Sequence, residues 1–238
     1  MSAIPRNKPD HGNPKDVGLT VLQLDTVFPR VAGDVASPET YQAPIVIERI
    51  DRASVSRVVT TTPDQHDMTP FMTAAAKINS GIGVTSCGFL GYWQDQLSQH
   101  CPRPFIASAL SDLPHWQQGY AADEMAVVTF DRNVLSTPLY APLLQGFSGA
   151  IIGLHPDMHL RRVISEDQKE LDQSRAEKEL IALLDAALNR NKIKALVFEC
   201  TNLPPYKAAI KSAFDVEIYD ILTSIHRRDP DLVKPEFL

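Results

Sequence analysis

Several features that mark common protein classes are missing from this sequence of 238 residues. It contains only three cysteines, and none of them forms a CxxC pair, so a disulfide framework and a zinc site are both poor interpretations. No GxGxxG or Walker motif occurs, which leaves nucleotide binding unsupported. We therefore expect free thiols, no metal and no cofactor.

Basic charge is also scarce. The 23 Lys and Arg residues are outnumbered by 29 Asp and Glu residues, which gives a net charge of −6. Neutralising nucleic-acid phosphates requires a basic face, so we expect no nucleic-acid partner. No apolar run approaches the ~20 residues that cross a bilayer, and residues 1–16 lack the apolar core of a secretory signal. We expect a cytoplasmic protein without a membrane partner.

The composition is that of an ordinary globular protein, with 44% hydrophobic and 22% charged residues. Residues 1–16 are polar and are predicted to form a flexible arm. Short apolar runs then recur, and their continuous apolarity is typical of buried strands in a parallel sheet. Helices are predicted to begin at Thr69, before Pro70, and at Ser165. The pattern predicts an α/β fold with strands at 19–25, 54–61, 81–87, 104–110, 125–130, 149–154, 195–200 and 216–222.

The sequence shows a weak internal doubling. LTVLQLD resembles MAVVTFD, and GIGVTSCGF resembles ALVFECTNL, each pair being offset by about half the chain. Two similar lobes facing each other would bring equivalent strand ends toward one ligand. We predict a first lobe formed by residues 17–111 and 206–238, and a second lobe formed by residues 112–205.

Two of the cysteines, Cys87 and Cys200, end predicted strands at strand-to-helix turns. Such turns favour thiolates and anions, because a helix N-terminus presents free backbone N–H groups. The hydroxyl and amide side chains that flank the thiols are suited to binding a carboxylate; they are Thr85, Ser86, Thr201 and Asn202. A buried cysteine can equally serve as a small apolar side chain, and Cys101, in a predicted loop, is interpreted as structural.

The motifs TSCGF and ECTNLP, in a doubled α/β chain of this length, resemble those of the cofactor-independent aspartate/glutamate racemase superfamily, which includes hydantoin racemases and related decarboxylases and isomerases. The segment LQLDTVFPRVAGDV resembles the opening of an aspartate/glutamate racemase-like branch. This sequence departs from glutamate racemases in two places. Its first strand does not end in an Asp-Ser-Gly turn, and its second cysteine is followed by Thr-Asn rather than Thr-His.

The resemblance implies two pseudo-symmetric, three-layer lobes with mainly parallel sheets and an active site in the cleft between them. Cys87 and Cys200 would act as general acid and base on opposite faces of a substrate α-carbon. Ser86, Gly88, Thr201 and Asn202 match the neighbouring residues that bind the substrate carboxylate.

Three further residues are candidates for substrate contacts, each with a structural alternative. Asp25 is suited to orienting an amine or a thiol, or to capping a turn. Arg30 is suited to pairing with a distal carboxylate, or to lying solvated in a loop. Phe89 is suited to forming a wall of the pocket, or to packing into the sheet.

The sequence thus predicts a cofactor-independent amino-acid racemase or epimerase acting on a small carboxylate-bearing substrate. The alternatives are an isomerase or decarboxylase of the same superfamily, resembling hydantoin racemase, maleate isomerase or arylmalonate decarboxylase, and a non-catalytic protein that binds a small ligand. The substrate and the oligomeric state, including a homodimer, stay open.

Overall fold

The computed structural model describes residues 17–188 and 192–238, so the arm predicted at residues 1–16 lies outside the described residues. The described chain contains eight strands in two four-stranded sheets. They are β1 (Leu19–Leu24), β2 (Ile45–Ile50), β3 (Ile82–Thr85), β4 (Phe105–Ile106), β5 (Met125–Thr129), β6 (Ala150–Gly153), β7 (Ala195–Phe198) and β8 (Glu217–Tyr219).

Helices connect and flank these strands. They are α1 (Val55–Val58), α2 (Thr69–Ala75), α3 (Gln94–His100), α4 (Leu113–Gln117), α5 (Arg132–Leu135), α6 (Ala141–Leu144), α7 (His159–Ser165), α8 (Gln173–Leu188), α9 (Lys207–Ala213) and α10 (Ile221–Arg228). Short 3-10 turns precede several of them, including the turns at Gly88–Trp93 and Pro204–Tyr206.

The two sheets repeat one topology. Their strand orders are β2-β1-β3-β4 and β6-β5-β7-β8, and every strand pair within them is parallel. Each strand of the second sheet thus corresponds to the strand of the first sheet whose number is four lower, so that β5 corresponds to β1 and β7 to β3. Cys87 follows β3 and Cys200 follows β7, which are counterparts. The predicted two-lobe α/β fold and its pseudo-symmetry are confirmed.

Burial explains why the central strands form where they do. β3, β5 and β7 are buried along their whole length, as continuous apolar runs in a parallel sheet predict. β2, which the sequence analysis did not identify, is an edge strand in which Val46 and Ile47 are more than one-third exposed. Its mixed sequence IVIERI reflects that exposure.

Three local predictions differ from the structure. The strand predicted at 216–222 is confirmed only at Glu217–Tyr219, because α10 begins at Ile221. Residues 54–61 were predicted as a strand, but α1 forms there, because Val55 and Val58 are three residues apart and face the core together. A helix was predicted to begin at Ser165, but α7 ends there. The left-handed backbone of Asp167, with φ of 52°, terminates the helical path, and the next helix begins only at Gln173.

The C-terminal segment returns to the first lobe later than position 206. Residues from α9 to β8 belong to the second lobe, because β8 pairs with β7. α10 then packs on the first sheet, where Ile221, Leu222 and Ile225 share a buried cluster with residues of β1 and β3. A larger cluster contains buried side chains from both sheets, so the lobes share a continuous core. No helix among the described residues is long and apolar enough to cross a membrane.

Candidate active site

The carboxyl ends of the central strands of both sheets meet at one small pocket. This is the position at which open parallel sheets bind ligands. The pocket encloses about 330 Å³ of space, counted together with open solvent at its mouth, but the part that a water molecule can occupy is only about 20 Å³, so the site is nearly closed. Its lining comes from both lobes and consists of Leu24, Phe28, Arg30, Val55, Val59, Ser86, Cys87, Gly88, Phe89, Phe130, Ile164, Glu199, Cys200, Thr201 and Asn202.

The two thiols share this pocket and have similar backbone surroundings. Cys87 precedes the 3-10 turn Gly88–Trp93, and the backbone N–H groups of Phe89 and Leu90 favour its thiolate form. The backbone N–H of Asn202 does the same for Cys200. The strand-to-helix turns therefore supply the N–H groups that the sequence analysis expected. Cys87 keeps partial exposure, whereas Cys200 is buried.

Burial and charge nevertheless keep both thiols protonated. Burial, followed by the nearby carboxylate of Glu199, raises the pKa of Cys87 to about 12. The same two causes, in the same order, raise the pKa of Cys200 well above its ordinary value. A reaction that needs a thiolate therefore needs a positive charge to enter the pocket or a negative one to be neutralised.

The two cysteine motifs are hydrogen-bonded to each other across the lobes. The Thr201 hydroxyl donates to the backbone oxygen of Ser86 at 2.7 Å, and the Ser86 hydroxyl oxygen accepts the Leu24 N–H at 3.0 Å. Gly88 lies so close to Glu199 that a β-carbon at Gly88 would be 2.1 Å from the Glu199 carbonyl oxygen. Only glycine allows this approach.

A buried polar network lies beside Cys200. The Asn202 amide donates to Asp34 at 2.6 Å, and the Cys200 thiol lies 3.9 Å from the Asn202 amide oxygen. Arg30 pairs with Asp34 at 3.3 Å and donates to the hydroxyl of Thr26 at 3.1 Å. Arg30 lines the pocket as predicted, but both terminal nitrogens of its guanidinium already hold protein partners.

One wall of the pocket is tied to the opposite lobe. Phe28 lines the pocket from the segment after β1, and the guanidinium carbon of Arg30 lies 4.1 Å from its ring centroid. The backbone N–H groups of Val27 and Phe28 donate to one oxygen of Asp167, at 2.7 and 3.0 Å. This carboxylate, from the turn after α7, holds the first-lobe segment against the second lobe.

Two buried tyrosines lie near the thiols without lining the pocket. The hydroxyls of Tyr140 and Tyr206 have no hydrogen-bond partner among residues 17–188 and 192–238. Burial is the first cause that raises the pKa of each, followed for Tyr140 by Cys87 and for Tyr206 by Asp34. Both phenols therefore remain protonated and can donate a hydrogen bond.

Glu199 is a pocket residue that the sequence analysis did not select. It is fully buried, and its Oε2 accepts the Thr129 hydroxyl at 2.7 Å. Burial raises the pKa of Glu199 to about 7, although the Thr129 hydroxyl and the Phe130 N–H act in the opposite direction. A charged residue inside the apolar run ALVFEC was the signal that could have identified it, because buried strands rarely carry an acid.

Of the ten predicted site residues, the pocket lining includes all but Asp25 and Thr85. Asp25 accepts hydrogen bonds from the Arg49 guanidinium at 2.7 Å and from the Arg52 N–H at 3.1 Å. These contacts correspond to the structural role in a turn that was the alternative to substrate binding. The Thr85 hydroxyl donates to the backbone oxygen of Ala107 at 2.6 Å. Cys101 lies apart in the first-lobe core. Within the described ranges, no group of three or more His, Cys, Asp or Glu side chains is placed to hold a metal ion.

Comparison with curated proteins finds relatives of one name, and no protein-family model matches the chain. Dimethylsulfoniopropionate lyase 7 of Emiliania huxleyi is 26% identical over 222 residues, covering 87% of this chain and 64% of that protein. Dimethylsulfoniopropionate lyase 3 of the same organism is 24% identical over 221 residues, 86% of this chain and 57% of that one. The chain thus spans about three-fifths of the length of these relatives.

Racemases are among the solved structures with the same fold. A glutamate racemase from Bacillus anthracis superposes with a TM-score of 0.56 at 14% identity, covering 92% of this chain and 85% of its own. An allantoin racemase from Klebsiella pneumoniae has a TM-score of 0.53 at 16% identity, with 89% and 86% covered. An aspartate racemase from Picrophilus torridus has a TM-score of 0.52 at 12% identity, with 92% and 97% covered. The two-lobe α/β fold that the resemblance predicted is thus the fold of these racemases.

Proposed function

We propose that the chain is a cofactor-independent enzyme that removes a proton from the α-carbon of a small carboxylate, with a cysteine as the base. The observation that carries the proposal is the presence of Cys87 and Cys200 in one small pocket, at the ends of counterpart strands. An α-proton beside a carboxylate is a very weak acid, so a closed site with directed donors is needed to hold the anionic intermediate. The backbone N–H groups around each thiol are suited to that role.

We further propose that proton removal leads to β-elimination, with dimethylsulfoniopropionate as the leading candidate substrate. The names of the sequence relatives favour this outcome. In this reaction a cysteine thiolate takes the α-proton, and the electron pair of the C–H bond forms the new double bond. The bond between the β-carbon and sulfur breaks with its electrons passing to sulfur, so that neutral dimethyl sulfide and acrylate are released. The proton gained by the thiolate returns to solvent.

The charge of the pocket fits a substrate of this kind. Both thiols are protonated, because burial and Glu199 oppose a further negative charge. The substrate is a zwitterion, so a thiol that lies nearer to its sulfonium group than to its carboxylate has its pKa lowered. The substrate would then help to generate the base that attacks it.

Racemisation is the second candidate, and the fold neighbours favour it. Inversion requires one group to remove a proton and another to deliver one from the opposite face, and two thiols from opposite lobes are suited to this. In this reaction the thiolate removes the α-proton as before, but the second thiol returns a proton to the carbon and nothing leaves.

One experiment separates the candidates. The purified protein is incubated in deuterated water with dimethylsulfoniopropionate and, separately, with a panel of amino acids and hydantoins. Headspace gas chromatography measures dimethyl sulfide, and proton NMR measures loss of the α-proton. Release of dimethyl sulfide supports elimination, and exchange without a leaving group supports racemisation.

The cysteine variants test the mechanism in both cases. Racemisation predicts that Cys87→Ser and Cys200→Ser each reduce turnover by several orders of magnitude, whereas elimination requires such a loss only for the cysteine that acts as the base. Cys101→Ser, outside the pocket, should leave turnover unchanged. Full activity in either of the first two variants would refute the two-thiol mechanism. Absence of turnover and of exchange with every substrate would favour a ligand-binding protein instead.

A further inference from the structure

The proton chemistry described above does not use the free oxygen of Glu199. Its Oε2 holds the Thr129 hydroxyl, but its buried Oε1 has no hydrogen-bond partner in the described part of the chain. Oε1 lies beside Gly88, the residue that follows Cys87, because a β-carbon built on Gly88 would be only 2.3 Å from this oxygen. The free oxygen therefore lies at the junction of the two cysteine motifs.

No cation of the protein neutralises this carboxyl group. Between residues 17 and 188 and from 192 onward, no Lys, Arg or His nitrogen lies within 4.0 Å of Glu199. Arg30, the cation in the pocket lining, is engaged by Asp34. An unpaired carboxylate inside a protein is unfavourable. The charge is removed when the carboxyl group binds a proton; when the group is ionised, a balancing positive charge has to come from a bound molecule.

The remaining lining favours a cation with apolar surface. Phe28, Phe89 and Phe130 line the pocket, and aromatic rings attract cations, most strongly where water is excluded. One face of the Phe28 ring and one face of the Phe130 ring already hold the guanidinium groups of Arg30 and Arg161. A sulfonium or quaternary ammonium group carries a delocalised charge inside a shell of methyl groups. Such a group is suited both to the apolar wall and to the carboxylate.

We propose that Glu199 is the counter-ion for a cationic substituent of the substrate, so that the pocket selects carboxylates bearing a sulfonium or quaternary ammonium group over neutral carboxylates of the same shape. This inference rests on the proposed function for the identity of the pocket as the substrate site. The competing role for Glu199 is a neutral carboxyl that donates a hydrogen bond to the substrate carboxylate. That role gives no preference between the two kinds of ligand.

The test measures binding of two matched probes. Dimethylsulfoniopropionate and its neutral carbon isostere, 4-methylpentanoate, are titrated by calorimetry at pH 8 into the full chain carrying Cys87→Ser and Cys200→Ser, which prevents turnover. The same titrations follow Glu199→Gln in that background. Glu217→Gln is the matched control, because it removes an exposed carboxylate from the same sheet and leaves Glu199 with its Thr129 partner. Circular dichroism confirms that each variant is folded.

A second pair of probes is used if the cysteine double variant does not fold. In that case 3-(trimethylammonio)propanoate and its neutral isostere 4,4-dimethylpentanoate are titrated into the protein that retains both cysteines.

The inference predicts that the cationic probe binds about tenfold or more tightly than the isostere, which corresponds to a close charge pair. Glu199→Gln should abolish this preference without weakening binding of the isostere, and Glu217→Gln should retain the preference. Equal binding of both probes, a preference that survives Glu199→Gln, or binding of neither probe would overturn the inference. Release of dimethyl sulfide is measured separately on the unmodified protein. If the protein prefers the cationic probe but releases no dimethyl sulfide, only the proposed elimination is overturned. If it releases dimethyl sulfide without preferring the cationic probe, only the role of Glu199 is overturned.

Discussion

The buried carboxyl of Glu199 leads to a prediction about how stability varies with pH. Burial raises its pKa in the folded protein from the ordinary value of 4.5 to about 7. Between these two values the folded state binds more protons than the unfolded state, so the free energy of unfolding falls as pH rises. The contribution of Glu199 to the free energy of unfolding is complete below its pKa in the unfolded chain, and it is lost as pH rises through its pKa in the folded protein.

The magnitude follows from the gap between the two pKa values, which is about 2.5. Each pKa unit corresponds to about 1.4 kcal/mol, so the whole contribution is ~3 kcal/mol. Glu199→Gln removes the titration and keeps the shape of the side chain. Relative to the parent protein, the variant should gain about 2 to 3 kcal/mol in free energy of unfolding between pH 5 and pH 8.

Urea denaturation followed by circular dichroism at pH 5, 6, 7 and 8 measures this difference. The groups that face Glu199 are Cys87, Cys200, Tyr140 and Asp131; they are present in both proteins, so the difference isolates the one carboxyl. Glu217→Gln, which removes an exposed carboxylate from the same sheet, is the control. A difference between Glu199→Gln and the parent that does not vary with pH would refute the reasoning.

Three further predictions concern the surroundings of the thiols. Gly88→Ala places a β-carbon 2.1 Å from a carbonyl oxygen and should destabilise the protein by about 1–3 kcal/mol or more; Gly119→Ala, whose nearest neighbour would be 3.9 Å away, should change urea stability little. Asp34→Ala leaves a buried guanidinium unpaired and should reduce the free energy of unfolding by about 3–5 kcal/mol; a loss under 1 kcal/mol in urea denaturation would contradict this. Asp167→Ala frees one pocket wall and should speed alkylation of Cys87 by iodoacetamide, measured by mass spectrometry; an unchanged rate would show that the wall does not limit access.

The meeting of the two thiols could be predicted from the sequence because it depends on regular features. Buried apolar runs give parallel strands, parallel strands place their carboxyl ends on one edge, and a doubled chain gives two such edges. Cys87 and Cys200 each end such a run. Their convergence follows from topology and needs no knowledge of individual side-chain contacts.

The partners of charged residues could not be predicted in this way. Asp25 and Asp34 both follow β1, yet one accepts from Arg49 and Arg52 at the surface and the other is buried with Arg30 and Asn202. Which carboxylate enters the site depends on the path of the loop between them. Residues far apart in the chain determine that path, and no local pattern in the sequence records it.

The doubled architecture has a consequence for how such a site can diversify. The backbone N–H of Ser86 donates to Leu22, and that of Glu199 donates to Val128, so the two residues before the cysteines are structural counterparts. One is a small hydroxyl and the other a buried acid. A chain made of two related halves holds two copies of each strand-end position. One of two counterpart positions can therefore carry a charged side chain while the other carries a neutral one. The two halves of the site then offer different chemical groups to a ligand, although their backbones are related by pseudo-symmetry.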